Sequence, residues 1–396
     1  MRILFVTPRY PYPLLSGDRV RAFHQIHTLS KTHEVFLLCP PPPTQEAEEA
    51  LRHAIGHRVH LKMSRVKTIG RMASGAFKRT PLQTLANADR AYRREALAII
   101  RRHDIQLAHV QLVRMGSILH GVPIPKFMDF VDALSVNMKL LAERSSGPKR
   151  LAAGVESRRL GRYEQIMVRE YDAGGITSSR DRQAFGDPEN MFVIPQGVPS
   201  HGGSPEDAPR PPARIVFTGR MSYFPNVEAA RWFADEVFPL VRREVPEAEF
   251  VIAGADPGPS VTALADLPGV TVLGYVKSIA DELLSSTVAV VPMKCGTGMQ
   301  TKIVEAMAAG TPLVITPEGL GSLPFQDGDQ VSVGDDAASF SKAVVRLVQC
   351  PEGARKQARN ARQEVEQNYS WSSSTGELVR GYEYAMQAFE RKVHLS

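Results

Sequence analysis

The feature that most constrains the fold of this chain is a repeated alternation of short apolar runs with segments of helical spacing. Residues 2–7 read RILFVT, and a Pro-rich loop, a helix-like segment and a second apolar run, EVFLLCP, follow. The alternation continues to about residue 199 and restarts at residue 214. Short apolar runs separated by helices are typical of parallel sheets covered on both faces. The sequence therefore predicts an α/β chain with two doubly wound parallel sheets.

A segment dense in Pro and Gly, HGGSPEDAPRPPA at 201–213, separates the two alternations. This composition is typical of a linker, and 396 residues exceed the size at which one core keeps growing. We therefore expect an N-terminal domain at 1–200, the linker, and a C-terminal domain at 214–376. The last residues, about 377–396, have helical spacing, and we expect this helix to pack back on the N-terminal domain.

Charge is unevenly distributed, with a net +12 in residues 1–200 and −6 in the rest of the chain. The stretch 51–88 has eight Lys and Arg residues, no acidic residue and interleaved apolar residues. This pattern predicts either contact with an anionic membrane surface or a solvated basic face. Nucleic acid is disfavoured as a partner, because the stretch has almost no aromatic residues for stacking on bases.

Other features bear on the compartment. Prolines interrupt the N-terminal apolar run, so we expect no signal peptide, and no apolar stretch approaches the roughly 20 residues that span a bilayer. The three cysteines are far apart and lack metal-ligand spacing. We expect a cytoplasmic protein, with peripheral attachment to the inner face of the plasma membrane as a further prediction.

The segment at 296–312, GTGMQTKIVEAMAAGTP, follows the strand-like run VAVVPM. Its glycines let the backbone approach a ligand, and the amides that open the following helix favour an anion. Lys302 and Glu305 are three residues apart and share a helix face. The pattern indicates a nucleotide diphosphate site; an ordinary helix with a surface Lys–Glu pair is the alternative.

The run KIVEAMAAGTP resembles the signature of the retaining GT-B glycosyltransferases of family 4. The segments RILFVTPRYPYPLLSGDRVR, VIPQGV, IVFTGR and VTVLGYV resemble other parts of that family, and exosortase-associated bacterial sugar transferases are the most similar subgroup. The resemblance implies two Rossmann-like domains facing a central cleft. It also implies metal-independent, retaining transfer of a sugar from a UDP- or GDP-sugar to a saccharide or lipid-linked acceptor in cell-surface polysaccharide biosynthesis, without a cofactor.

The resemblance assigns roles to single residues. Arg220 and Lys302 would flank the diphosphate, Glu305 would bind the ribose, and His109 would lie near the donor sugar. The other donor-binding residues that it implies are Gly17, Gly274, Val276, Thr297, Gly298 and Met299.

The chain departs from this family at two positions. Thr297 stands where many relatives have a sugar-binding glutamate, and Pro225-Asn226 stands where many have a lysine. These departures leave the identity of the donor open.

Two further groups of polar residues suggest sites. Asp132 and Arg114 follow strands of the first domain and could face the acceptor, although Asp132 could instead cap a helix and Arg114 could lie on the surface. Asp327-Gly328-Asp329 matches a metal-binding D-x-D pattern. Because it lies in a Gly-rich turn near the end of the second sheet, we expect no metal there.

Two other functions are compatible with these residues. A nucleotide-sugar epimerase of the same fold would need no acceptor, so product analysis with and without acceptor would distinguish it. A non-catalytic nucleotide-sugar-binding protein is the other alternative, because Thr297 replaces the expected glutamate.

Overall fold

The computed structural model describes residues 1–62, 70, 80–87, 89–199, 211–295 and 299–394. The chain divides into two compact units. Unit 1 comprises Met1–Gly197 together with Trp371–Ser396, and unit 2 comprises Val198–Ser370. The C-terminal segment of unit 1 therefore begins at Trp371, six residues before the helix start expected from the sequence.

Unit 1 is built on a parallel sheet in which the strand order, among the described residues, is β3-β2-β1-β4-β5-β6-β7. The strands are β1 (Arg2–Val6), β2 (Glu34–Cys39), β3 (His57–His60), β4 (Leu107–Gln111), β5 (Lys126–Val131), β6 (Ala173–Ile176) and β7 (Met191–Val193). The central strands are buried almost throughout, as expected for a sheet with helices on both faces.

The helices of unit 1 connect these strands, and one more returns from the end of the chain. They are α1 (Gly17–Leu29), α2 (Gln45–Arg52), α3 (Leu82–Asn87), α4 (Arg90–His103), α5 (Leu134–Glu143), α6 (Gly147–Glu170), α7 (Ser179–Ala184) and the C-terminal α16 (Trp371–His394). A 3₁₀ segment, Val113–Leu119, follows β4.

Unit 2 repeats the same topology, with the order β10-β9-β8-β11-β12-β13 among the described residues. Its strands are β8 (Arg214–Thr218), β9 (Glu249–Ala253), β10 (Val270–Gly274), β11 (Val288–Val291), β12 (Leu313–Ile315) and β13 (Ser332–Val333). Its helices are α8 (Phe224–Trp232), α9 (Phe238–Glu244), α10 (Pro259–Thr262), α11 (Ile279–Leu284), α12 (Thr301–Ala308), α13 (Pro317–Leu320), α14 (Ala337–Gln349) and α15 (Pro351–Asn368). A π-helical turn, Phe233–Val237, joins α8 to α9, and a 3₁₀ segment, Ala263–Asp266, follows α10.

Side chains along β1 point alternately to the two faces of the unit 1 sheet, and an apolar cluster lies on each face. Leu4 and Val6 belong to the cluster on one face of the sheet, whereas Ile3 and Phe5 belong to the cluster on the other. The second cluster also contains Leu378, Tyr382 and Ala385 of α16. Apolar burial against β1 and its neighbours therefore fixes the C-terminal helix in unit 1.

Each sheet has a point at which the strand order reverses. In unit 1 it lies between β1 and β4, and in unit 2 between β8 and β11. Open sheets of this kind bind ligands beyond the carboxyl ends of the strands at such a point. The predicted fold class is confirmed: both units are Rossmann-like, with doubly wound parallel sheets.

Candidate active site

In unit 2 the loops at the switch point bring together residues that the sequence placed in separate motifs. Arg220 follows β8 after a single glycine, and Lys302 lies in the first turn of α12, which follows β11. Because β8 and β11 are paired neighbours, both loops begin at the same edge of the sheet.

Lys302 is a buried cation, with only 8% of its surface exposed. Its Nζ donates a hydrogen bond to Asn226 Oδ1 at 2.6 Å and lies 3.5 Å from Gln300 Oε1. The ammonium group also lies 5.2 Å from the centre of the Phe217 ring. These contacts fix the position of the Lys302 side chain at the sheet edge.

Asn226 connects two parts of the predicted site. It lies in the first turn of α8 and is 4% exposed. While its Oδ1 accepts from Lys302, its Nδ2 donates to the backbone carbonyl of Arg220 at 2.9 Å. A single amide therefore holds both the Lys302 ammonium and the loop that carries Arg220. In the sequence alone this asparagine is visible only as the absence of the lysine that many relatives have there.

Burial changes the electrostatics of Lys302 and Glu305. Desolvation lowers the pKa of Lys302 to about 8, and the neighbouring Glu305 carboxylate acts in the opposite direction. Burial raises the pKa of Glu305, and the Lys302 charge lowers it. An anion beside Lys302 would favour its charged form. A buried lysine in this state suits the binding of a diphosphate.

Arg220 is exposed and forms an ion pair. Its Nη2 lies 2.8 Å and its Nε 3.0 Å from Asp256 Oδ2, and both side chains are more than half exposed. Asp256 follows β9, the neighbour of β8 in the sheet. No sequence motif marks Asp256, although the rule that ligands bind beyond strand ends points to it.

Three glycines lie next to one another at the carboxyl ends of β8, β9 and β10. The Gly254 amide donates to the Gly274 carbonyl at 2.7 Å, and the Gly219 amide donates to the Ala253 carbonyl at 3.1 Å. A Cβ at Gly254 would lie 1.7 Å from the Gly219 carbonyl oxygen. Close backbone approach therefore requires glycine at Gly254, beside the predicted base-binding residue Gly274.

Of the remaining donor-binding residues predicted in unit 2, two lie within the described part of the chain and two lie outside it. Val276 and Met299 are partly buried and pack against the core of this unit. Thr297 and Gly298 lie outside the described residues.

In unit 1 the loop after β1 supplies charged residues beside Gly17, the first residue of α1. Arg9 and Asp18 form an ion pair at 3.4 Å. Gln111, at the end of β4, donates to the Asp18 carbonyl at 2.8 Å. The carboxyl ends of β1 and β4 are thereby linked, and Gly17 lies at this edge.

Asp132 and Arg114 belong to the same polar region. Burial, and then the Asp181 charge, raises the pKa of Asp132 to about 7, whereas Arg114 and a 2.8 Å hydrogen bond from Asn137 act oppositely. Burial lowers the pKa of Arg114. Within the described part of the chain the Nε of Arg114 has no hydrogen-bond partner. Asp132 can thus exchange a proton near neutral pH.

Backbone strain marks this edge of the sheet. Leu112, two residues before Arg114, has φ +67°, and Val131, immediately before Asp132, has φ +68°. Bulky and β-branched residues rarely adopt a left-handed backbone, and such strain is concentrated at functional sites. The sequence contains no signal of this conformation.

His109 is wholly buried in unit 1. Its Nδ1 lies 2.7 Å from the Tyr382 hydroxyl, and its ring stacks on Phe5 with 3.9 Å between ring centres. Burial lowers its pKa to about 3, so the ring is neutral and its 4.0 Å approach to Asp129 is not an ion pair. In this position the ring links β4 to α16 and has no exposed surface for a substrate. Its catalytic role stays a prediction.

A buried ion pair, not predicted from the sequence, lies beneath this edge. Arg21 Nε is 2.6 Å and Nη2 is 3.2 Å from the Asp129 carboxylate, and both side chains are fully buried. Arg21 also donates to the Ile194 carbonyl at 2.9 Å, and Gln25 donates to Asp129 at 3.3 Å. These bonds join α1, β5 and the segment after β7.

The other predicted features have simple surroundings. Asp327 accepts a hydrogen bond from the Val333 amide at 2.8 Å, and Asp329 accepts one from Asn360 at 2.6 Å.

No cluster of His, Cys, Asp and Glu suited to a metal ion occurs in the described ranges. None of the helices in those ranges has the length and apolar character needed to cross a bilayer. Within the basic stretch 51–88, residues 63–69, 71–79 and 88 lie outside the described part.

Comparisons with known proteins address the same region. Residues 212–350 match a family model described as glycosyl transferases group 1. A 44.6 kDa protein of the cps region of Klebsiella pneumoniae is 23% identical over 390 residues, covering 93% of this chain and 96% of that protein. The glycogen synthase of Mycobacterium tuberculosis is 26% identical, covering 94% of this chain and 92% of that enzyme.

Solved structures share the architecture over almost the whole chain. Sucrose-phosphate synthase from Thermosynechococcus elongatus superposes with a TM-score of 0.72 at 15% identity, covering 98% of this chain and 100% of that one. The HepE protein of Anabaena, solved with UDP and glucose, gives a TM-score of 0.64 at 14% identity, covering 96% and 98%. At such identities the likeness concerns the fold.

Proposed function

We propose that this chain is a GT-B glycosyltransferase that transfers a sugar from a nucleoside diphosphate donor with retention of configuration and without a metal ion. The fold and the match of residues 212–350 to glycosyl transferases group 1 support the proposal. The donor is a UDP- or GDP-sugar, and the acceptor is a saccharide or lipid-linked saccharide of a cell-surface polysaccharide. We also propose that the enzyme belongs to family 4, that it is of the exosortase-associated type, and that it acts in the cytoplasm at the inner face of the membrane. The similarity to a cps-region protein and the UDP bound to HepE support it.

One observation carries the proposal most directly: the buried Lys302 at the switch point of unit 2, held by Asn226 and close enough to Glu305 for their charges to interact. Lys302 and Arg220 would neutralise the diphosphate as it leaves, and Glu305 would accept hydrogen bonds from the ribose. Preorganised charge of this kind is usually the largest contribution to catalysis. Thr297, Gly298 and Met299 would contact the sugar, with Gly17 at the phosphates and Gly274 and Val276 at the base.

In the proposed reaction the bond between the anomeric carbon and the diphosphate oxygen breaks. The acceptor oxygen forms its bond to that carbon on the same face, and its proton passes to the leaving diphosphate. Asp132 and Arg114 would orient the acceptor.

A screen for donor and product tests this function. Purified protein is mixed with UDP- and GDP-sugars, and its melting temperature is measured, because a ligand that binds the folded state raises it. A donor that binds is then supplied with saccharide acceptors, and mass and anomeric configuration of the product are determined. Failure of every donor to bind or turn over would refute the proposal. A changed sugar released without acceptor would instead indicate an epimerase.

Donor affinity is expected to fall as the pH rises above about 8, because Lys302 loses its charge in the free enzyme there. A nucleotide sugar keeps the same diphosphate charge across this range, so the lysine controls the change. The limiting slope is about ten-fold in Kd per pH unit until the pKa of the complex is reached. Calorimetric titration between neutral and alkaline pH measures it. An affinity that is constant through pH 8 would contradict this role.

Asn226→Ala is expected to lower kcat/KM about ten- to hundred-fold, since a hydrogen bond to a charged group contributes about 1.5–3 kcal/mol. Asn226 would act as a positioning residue, so the alkaline inflection should also move to lower pH when Lys302 loses this acceptor. Asn360→Ala, which removes a half-buried amide elsewhere in unit 2, is the control. An unchanged pH profile in Asn226→Ala would exclude the positioning role.

A further inference from the structure

Helix α6, Gly147–Glu170, has one face in the core of unit 1 and the other face exposed. At 1.5 Å per residue its 24 residues extend about 36 Å. The inward face buries Ala153, Glu156, Leu160, Glu164, Met167 and Val168. The outward face lies on the opposite side of the helix and is a long, narrow surface.

Aliphatic side chains are exposed along this outward face. Leu151 is 73% exposed, Val155 46% and Ile166 54%. Their spacings of 4 and 11 residues keep them within one stripe along the helix. Single exposed apolar residues are ordinary on a protein surface, but three on one stripe of one helix indicate a contact surface.

Arginines occupy the same stripe. Arg158, Arg162 and Arg169 are exposed and lie at helical spacing with Leu151 and Val155. None of the three takes part in an ion pair between described residues. We call the six residues of this surface, three aliphatic and three basic, the α6 stripe.

The acidic residues of α6 are all engaged elsewhere. Glu156 accepts the amides of Leu82 and Gln83, each at 3.1 Å. Glu164 accepts the Ser135 amide at 3.1 Å, and Glu170 pairs with Lys126 at 2.9 Å. The positive charge of the α6 stripe is therefore not compensated along the helix.

The bonds of Glu156 also relate the α6 stripe to the basic stretch 51–88. Leu82 and Gln83 open α3, the described end of that stretch, and the carboxylate of Glu156 ties this end to α6. The stretch thus ends at the helix that bears the stripe.

We propose that the α6 stripe docks on an anionic phospholipid surface, with Leu151, Val155 and Ile166 entering the interfacial region and the arginines at the level of the phosphates. Arginine can place its aliphatic stem along apolar surface while its head contacts phosphate. Charge complementarity favours this partner, since every charged side chain of the stripe is cationic. Nucleic acid fits less well, because the stripe offers no aromatic ring for bases. The surface is separate from the proposed donor and acceptor residues and does not depend on their roles.

Co-sedimentation of the full chain with vesicles tests the proposal. The wild type is expected to bind vesicles that contain phosphatidylglycerol and not vesicles of phosphatidylcholine alone. Neutralising Arg158, Arg162 and Arg169 together to Gln is expected to lower the partition coefficient on the order of a hundred-fold, because each cation near an anionic surface contributes about five-fold. Replacing Leu151, Val155 and Ile166 with Ser should weaken vesicle binding. The binding that remains should be electrostatic and should be abolished by salt.

A matched control separates this surface from net charge. Replacing Lys342, Arg355 and Lys356 with Gln removes the same charge from exposed positions of unit 2 and should leave vesicle binding unchanged. Equal loss in the control, or no preference of the wild type for anionic vesicles, would overturn the proposal. The proposal would also be overturned if the arginine variant still bound vesicles but no longer self-associated, or no longer bound an RNA oligonucleotide. The melting-temperature increase with nucleotide sugar should persist in every variant, so failure of the α6 stripe and failure of the proposed function give different results.

Discussion

Lys302→Met is expected to lower turnover on the order of 10²–10³-fold, the usual effect of removing one preorganised group that stabilises developing negative charge. The expectation rests on the buried Nζ held by Asn226 at the switch point of unit 2. Methionine has a similar length but carries no charge that could neutralise a diphosphate. Single-turnover kinetics with a saturating donor measure the loss in the chemical step.

The stability of this variant distinguishes loss of function from loss of fold. The folded-state pKa of Lys302, about 8, lies below the ordinary value of 10.5, so folding disfavours its charged form at neutral pH. That cost disappears as the pH rises above the ordinary pKa of lysine. Removing the charge should therefore leave the unfolding free energy at pH 7 unchanged or higher. Functional sites often conflict with stability in this way.

Lys342→Met is the matched control, because Lys342 is exposed on α14 of the same unit. It should keep wild-type turnover. If Lys302→Met retained near-wild-type turnover, or lost it only in proportion to a lowered melting temperature, Lys302 would not be the group that stabilises the leaving diphosphate.

Asp129→Ala is expected to destabilise unit 1 by about 3–5 kcal/mol, because it leaves the fully buried Arg21 guanidinium without its carboxylate. For a unit of this size the melting temperature should fall on the order of 10 °C. Thermal unfolding followed by circular dichroism measures the change. Replacing both partners, Arg21 with Met and Asp129 with Leu, should recover much of the loss, since no buried charge then remains unpaired.

The control for this experiment is an exposed ion pair of the same unit. Glu143 lies 4.0 Å from Lys139, and both side chains are more than half exposed. Glu143→Ala should cost about 1 kcal/mol or less. If Asp129→Ala and Glu143→Ala had equal effects, the Arg21–Asp129 pair would not be a principal constraint on the structure of unit 1.

Sequence patterns were sufficient to predict the parallel sheets of this protein and the helix that carries Lys302 and Glu305. Continuous apolar runs between helical segments predict parallel sheets covered on both faces, because a strand buried on both sides needs apolar residues at every position. The shared helix face of Lys302 and Glu305 follows from the period of the helix, because residues three apart lie on one side of it. These are local properties, so the sequence expresses them directly.

The surroundings of single side chains could not be predicted in the same way. Family resemblance implies that His109 lies near the donor sugar, yet Tyr382 and Phe5 enclose it, and these lie 273 and 104 positions away in the sequence. Asn226 stands where many relatives have a lysine, but its amide joins Lys302 to the loop of Arg220. Such contacts depend on which strands become neighbours, and an amino-acid pattern does not specify strand order.

By itself, the sequence determined the α/β class, the two alternations and the candidate phosphate-binding helix, because each depends on residues close together along the chain. Only the tertiary structure decided that Asp256 pairs with Arg220 and that Arg21 pairs with Asp129. It also decided the α6 stripe: burial of Glu156 and Glu164 leaves a helix of mixed charge with a purely cationic exposed face. The physical reason is the same in each case, since burial and charge pairing are set by neighbours distant in the sequence.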